Sequence, residues 1–291
     1  MHRAYFHDYT CRCIYHITIC KAPGMSAFGE LRGGIEDAYI EKTKLGKIIE
    51  NNIHTLHKLN PLLEVIQYVI MPDHIHFLLF VTDTIEKPIG KYIGMMKVRV
   101  GQDFRAAGGC AGPVFEKNFD DRILHKRRSL STIVNYIREN PRRLAVRRAR
   151  PEYFRRVNGL EIGGRRYAAY GNIYLLRNPF CEQVVVHRRD TEADRAADRE
   201  RWLYTASNGG VLVSPLEAAE KAIREEAEAL NAKIILITNE PMPERYKPVG
   251  HDFECCEAGR MLIISAGFPG KELTRECCLA MNGLAAEIVR R

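Results

Sequence analysis

The stretch VIMPDHIHFLLFV, residues 69–81, decides how the first half of the chain is read. Two apolar runs meet in it at Met71-Pro72-Asp73. Pro72 has no N–H to give to a strand ladder, so it marks a turn or a strand edge. The flanking LEVIQYVI (63–70) and HIHFLLFVT (74–82) then read as two buried strands. Side chains alternate along a strand, so His74 and His76 leave the same face with Cα atoms about 6.5–7 Å apart, close enough for two imidazoles to converge on one metal ion. Hydrogen-bonded packing histidines would show the same pattern, and this stretch alone leaves both readings open.

Working outward, CRCIYHITIC (11–20) alternates β-branched and aromatic residues and predicts a strand with Cys13, Tyr15, Ile17 and Ile19 on one face. Apolar residues at helical spacing predict a helix over 36–59, ending before Asn60-Pro61, and another over 85–105. Val114–Phe119 reads as a short strand. LSTIVNYIREN (130–140) reads as a helix with Leu130, Ile133, Val134 and Ile137 as its apolar stripe, ended or kinked at Asn140 by Pro141. The order β, α, β, β, α, β, α is that of an α+β domain on the split ferredoxin-like plan, an antiparallel sheet with helices on one face.

The rest of the chain is written differently. NIYLLRN (172–178), VVVH (184–187), GGVLVSP (209–215), KIILIT (233–238) and MLIIS (261–265) are strand-like, and helical stretches lie at 190–203, 216–230 and from about 270. Unbroken apolar strands alternating with helices imply a small parallel sheet covered on both faces, an α/β domain. The expected division is therefore 1–150, a basic and aromatic linking segment at 151–189, and a second domain at 190–291.

Charge follows the same division. The chain has 291 residues and a formal net charge of +8. Residues 1–189 carry 31 basic and 18 acidic side chains, whereas 190–291 carry 13 and 18. From Arg122 to Arg166 there are 14 basic residues against Glu139, Glu152 and Glu161. With few acidic partners one helical turn away to neutralise it, such a run points to a polyanion, which Lys and Arg bind by releasing its condensed counterions. At 46% hydrophobic residues, disorder and collagen-like repeats are excluded. The nine cysteines form no CxxC, which argues against a zinc ribbon, and Glu257 and the nearby cysteine pairs show no spacing that makes a site. No apolar run approaches a membrane span, and the start lacks a signal-peptide core, so a cytoplasmic protein is expected.

Tyr136 lies at the edge of the apolar stripe of its helix, with Asn140 one turn later and Arg138, Arg142 and Arg143 around it. Here the sequence resembles a family. VIMPDHIHFLLFV resembles the His-hydrophobic-His strand of the HUH endonucleases, and NYIRENPRR (135–143) the YIxxNP segment of the REP-associated tyrosine transposases, relatives of the insertion-sequence-200 single-strand transposases. IYHITIC (14–20) is similar to the first strand of that family, and FDDRILHKRRSL (119–130) to its link into the tyrosine helix. The resemblance covers about residues 8–148.

The resemblance implies an HUH-type domain that is a metal-dependent single-stranded DNA endonuclease and strand transferase. His74 and His76 would bind Mg²⁺ or Mn²⁺, with Asn140 as third ligand. Tyr136 would be the nucleophile, forming a 5′-phosphotyrosine. Arg127, Arg128, Arg138, Arg142, Arg143, Arg147 and Arg148 would hold single-stranded or hairpin DNA, and the protein would act as monomer or homodimer. Tyr153, Phe154, Tyr167 and Tyr170 could stack unpaired bases or serve as core. The alternatives are a domesticated DNA-binding protein that no longer cuts, and a phosphodiesterase without a covalent step, for which His16-Ile17-Thr18 is the nearest second HxS/T element. The C-terminal part faintly resembles the Rossmann-like domain of bacterial DNA-processing proteins, and no GxGxxG assigns a nucleotide to it.

Overall fold

The computed structural model of the chain describes residues 7–124, 127–187, 189–215, 218–268 and 273–290, without the side chains of 127–129 and 218–219. It divides into two compact units, Met1–Val146 and Arg147–Arg291.

The first unit runs through β1 (Cys13–Cys20), β2 (Gly29–Arg32), β3 (Tyr39–Lys42), α1 (Lys44–His54), β4 (Leu63–Ile70), β5 (His74–Val81), α2 (Ile89–Ala106) and β6 (Asp120–Leu124) into α3 (Arg127–Ala149). One sheet has the order β4-β5-β1-β6, with every pair antiparallel. This is the order that a split β-α-β plan demands of its four strands. Tyr15, Ile17 and Ile19 of β1 and Ile75, Phe77, Leu79 and Val81 of β5 pack in one core with Ile49 and Ile53 of α1 and Ile93, Met96 and Val100 of α2.

Three local expectations change. Residues 29–42 pair as the hairpin β2–β3 rather than opening a helix. Gly33 takes a positive φ of 78° at its turn and the Gly34 N–H donates to the Asp37 carboxylate, chemistry that ends a helical reading of Tyr39 and Ile40. Helix α1 starts at Lys44, where the Thr43 hydroxyl accepts from the Gly46 N–H. The strand expected over Val114–Phe119 lies further on, as β6. Pro141 does not end α3, which continues to Ala149. A proline removes one backbone donor, and the Asn140 side-chain amide donates to the Tyr136 carbonyl at 2.7 Å, reinforcing the turn that Pro141 weakens.

In the second unit, β7 (Arg155–Ile162) and β8 (Arg165–Gly171) form a hairpin, followed by β9 (Cys181–Gln183), α4 (Glu192–Ser207), β10 (Val211–Pro215), α5 (Ala218–Ala229), β11 (Lys233–Thr238), α6 (His251–Glu257), β12 (Met261–Ser265) and α7 (Arg275–Val289). The sheet order is β7-β8-β12-β11-β10-β9. Strands β9 to β12 are parallel, and β8 joins β12 antiparallel. One face packs Val211, Val213, Ile235, Ile237, Leu262 and Ile264 with Met281, Leu284 and Ile288 of α7. Helices α4, α5 and α6 also lie against these strands, and Leu212, Ile234, Leu236 and Ile263, which point the other way, are buried too. Burial on both faces explains why these strands carry no polar alternation. Residues 151–189, read as a linking segment, supply β7, β8 and β9 to this sheet, and 173–177 form a 3-10 turn rather than a strand. No helix among the described residues is long and apolar enough to cross a membrane.

The face of the first sheet opposite α1 and α2 buries His16, which is 9% exposed. Burial, helped by the Arg122 guanidinium across the strand pair, pulls its pKa down to about 4, so the ring is neutral at pH 7.

A Cβ at Gly46 would sit 2.0 Å from the Phe28 carbonyl oxygen, whereas at Gly94 of α2 it would meet nothing within 4 Å. Gly46→Ala should therefore lower the unfolding free energy by about 1–3 kcal/mol, and Gly94→Ala should raise it by about 0.5–1 kcal/mol, both read by urea denaturation. His16 couples stability to pH. With an unfolded pKa of 6.5 and a folded value of about 4, only the unfolded chain takes up a proton as pH falls from 6.5 to 4. Stability should decline across that window by up to about 3 kcal/mol, and His16→Gln should remove this part of the decline.

Candidate active site

Residues 16 and 18 of β1 and 74 and 76 of β5 share the face that the helices α1 and α2 do not cover. The antiparallel register sets Thr18 opposite His76 and Cys20 opposite His74. His74 and His76 converge, with their Nε2 atoms 3.1 Å apart. Two donors about 2.1 Å from one cation and 90–110° apart around it would be about 3.0–3.4 Å from each other. The spacing of the two nitrogens is therefore one that a single ion could bridge.

The atoms behind the pair fit the same use. The Asp73 carboxylate accepts from His74 Nδ1 at 2.7 Å, which places the His74 proton on Nδ1 and turns the Nε2 lone pair toward His76. His76 Nδ1 lies 2.9 Å from the Thr18 hydroxyl and 3.2 Å from His16 Nε2. Thr18 can donate or accept. When it donates to His76 Nδ1, the His76 Nε2–H can donate to His74; when it accepts, the His76 proton sits on Nδ1 and both Nε2 atoms are free for a cation. Neutral His16 can follow either arrangement by exchanging tautomers. Thr18, His16 and Asp73 are thus site residues beyond the His-hydrophobic-His pair. Their only sequence signal is position: Asp73 precedes His74, and His16-Ile17-Thr18 repeats the period of two on the neighbouring strand.

Helix α3 brings the tyrosine to this face. The Tyr136 ring centroid is 5.6 Å from that of His76 and 6.2 Å from that of His16, both edge-on, and all three residues belong to one chain. Tyr136, Asn140 and Arg143 are spaced by four and three residues, so they share one side of the helix. Arg143 is 6% exposed, with its guanidinium 5.4 Å from the centre of the Tyr136 ring. Asn140 is buried and bonded through its amide nitrogen to the Tyr136 carbonyl, which leaves its oxygen as the atom that could serve a cation.

The basic residues separate into distinct environments. Arg138 is exposed and Arg142 is half-buried, while Arg143 is buried against the tyrosine. Arg147, half-buried, and Arg148, exposed, fall in the second unit. The side chains of Arg127 and Arg128 lie outside the described residues. Of the aromatics that could have stacked bases, Phe154 and Tyr170 are buried, Phe154 against Phe253 and Tyr170 against Tyr246. They are core residues of the second unit. Tyr153 lies close to Gly259, where a Cβ would come within 2.7 Å of its ring; Tyr167 is half-buried beside the same unit's core.

No protein-family model matches the chain, and no curated protein does. Among solved structures, the chain is similar to a REP-associated tyrosine transposase bound to a REP hairpin, at 15% identity and a TM-score of 0.34, over 48% of this chain and 73% of that one. It is also similar to a crystal structure described as a "putative transposase" from Deinococcus radiodurans, at 14% identity and a TM-score of 0.30, over 48% of this chain and 95% of that one. Its structural neighbours are thus a REP-associated tyrosine transposase and a second protein described as a transposase, each alike over about half the chain.

Proposed function

We propose that the first unit is a metal-dependent single-stranded DNA endonuclease and strand transferase that works through Tyr136. The observation that carries this reading is the placement of the Tyr136 ring 5.6 Å from His76, in the same chain as a histidine pair whose Nε2 atoms are 3.1 Å apart. A nucleophile beside a cation site is the minimum that phosphodiester cleavage by a phenol needs.

A bound Mg²⁺ or Mn²⁺ would polarise the scissile phosphate and neutralise the charge that builds on it. His74 and His76 would supply two ligands and the Asn140 oxygen a third, with water and phosphate oxygens at the open positions. A site rich in imidazole suits Mn²⁺ better than Mg²⁺. The Tyr136 oxygen attacks phosphorus, forming the phenol ester as the bond to the 3′-oxygen breaks. The phenol proton is lost to solvent, and the departing 3′-oxygen takes up a proton to become a 3′-OH. Reversal with a second 3′-OH joins strands and releases the tyrosine, so no nucleotide cofactor is consumed. Arg143 fixes the plane of the ring, and the basic residues of α3 hold the DNA backbone. The preferred substrate is a hairpin-flanked single strand, and the second unit is read as a Rossmann-like companion domain with no assigned ligand.

Two measurements test this reading. With labelled hairpin-flanked single-stranded DNA and Mn²⁺, the full-length protein should give a covalent adduct on a denaturing gel that chelator prevents and Tyr136→Phe lacks. DNA that is retained by wild type without any adduct would favour the non-cutting alternative. Thr18→Val, which deprives His76 Nδ1 of its hydroxyl partner, should weaken Mn²⁺ binding by about 10–100-fold, read as a rise in the half-maximal Mn²⁺ concentration for adduct formation with little change in fold by circular dichroism.

A further inference from the structure

The second unit holds a group of side chains that the proposed DNA chemistry does not use. Glu228, in the last turn of α5, and His251 and Cys255, one turn apart on α6, bring three ligand atoms within 4.8 Å of one another. It is the one such group of three among the described residues. His251 Nε2 lies 3.1 Å from Glu228 Oε2 and 3.4 Å from Cys255 Sγ. Ligand atoms 2.0–2.3 Å from a tetrahedral ion are separated by about 3.3–3.6 Å, so both distances from His251 are close to those of a coordination shell.

We propose that Glu228, His251 and Cys255 form a binding site for a Zn²⁺-class divalent ion that ties α5 to α6. The donor set of one carboxylate, one imidazole and one thiolate is that of a borderline-soft cation rather than of Mg²⁺ or Ca²⁺. With the thiol proton displaced on binding, the ligands carry two negative charges and neutralise the ion. The atoms behind the ligands are engaged as well. Arg224 Nε lies 3.3 Å from Glu228 Oε1, leaving Oε2, which His251 Nε2 faces at 3.1 Å, for the metal, and the Glu254 carboxylate, 3.5 Å from His251 Nδ1, can accept the ring proton there once an ion takes the Nε2 lone pair. The Glu228 and Cys255 side chains are 6% and 1% exposed, whereas that of His251 is 54% exposed. The buried ligands form a rigid floor, and the exposed histidine leaves the fourth position open to water. Residues 239–250, which connect β11 to α6 and hold three prolines, would be closed off by the ion at their far end.

The sequence hides this site because Glu228 stands 23 residues before His251. Only the crossover through β11 brings the end of α5 beside α6. The adjacent Cys256 is fully buried, so the cysteine pair divides between ligand and core.

Cobalt(II) titration of the full-length protein tests the proposal, because a thiolate ligand gives a charge-transfer absorption band that a site of histidines and oxygens cannot. One equivalent of Co²⁺ should produce the band and Zn²⁺ should abolish it. Cys255→Ser should lose the band, and His251→Ala, at an exposed position, should weaken Co²⁺ binding by about 10-fold or more with its fold unchanged by circular dichroism. A band absent from the folded wild type, surviving Cys255→Ser, or unchanged in affinity in His251→Ala would overturn the assignment. None of these outcomes depends on the Tyr136 reaction, since Cys20 stands opposite His74 and a band arising there would survive Cys255→Ser.

Discussion

The antiparallel register between β1 and β5 is the constraint on which the first unit depends. It pairs Ile17 with Phe77 and Ile19 with Ile75 toward the helices, and on the opposite face sets Thr18 beside His76. Because side chains alternate with a period of two, a slip of one residue would turn both histidines into the apolar core and send Phe77 and Leu79 to the tyrosine side. The core and the candidate site are thus two faces of one set of hydrogen bonds, and the burial of Tyr15, Ile17, Phe77 and Leu79 is what holds the imidazoles in place. Hydrophobic packing here supplies the precision that a two-histidine site needs.

That face is polar but not open. His16 is neutral and buried, Thr18 can give or take a hydrogen bond, and Asp73 orients His74 from the turn. Together they let the pair exist in two proton arrangements, one internally hydrogen-bonded and one with both lone pairs turned outward. The tyrosine approaches on a separate helix, whose local chemistry keeps it intact through a proline: Asn140 braces the turn and Arg143 covers the ring. The second unit solves a different problem. Its parallel strands are buried on both sides and leave their polar residues to helix ends and connections, where Glu228, His251 and Cys255 meet.

Much of this was legible in the residues. Strands β1, β4, β5, β10, β11 and β12 follow from alternation or from unbroken apolar runs bounded by Pro, Gly and Asn, because those patterns report burial directly. The hairpin β2–β3 was not, since Tyr39 and Ile40 imitate the start of a helical stripe and the turn at Gly33 carries the contrary information. The β7–β8 hairpin was also missed. Its arginines and aromatics read as a basic and aromatic linking segment, although Ile162, Ala169 and Tyr170 are buried in the sheet.

By itself the sequence determined which side chains could do chemistry and where each sits on its own element: two histidines on one face of a strand, a tyrosine and an asparagine one turn apart on a helix, and a basic run around them. Those are local facts, set by periods of 2 and 3.6 residues. Only the tertiary structure decided which of them meet. His16 and Thr18 reach His76 across 60 and 58 residues of chain, and Glu228 reaches His251 through a crossover. Contacts of that kind arise from strand register and helix packing, which depend on the whole core and are written in no single stretch of the chain.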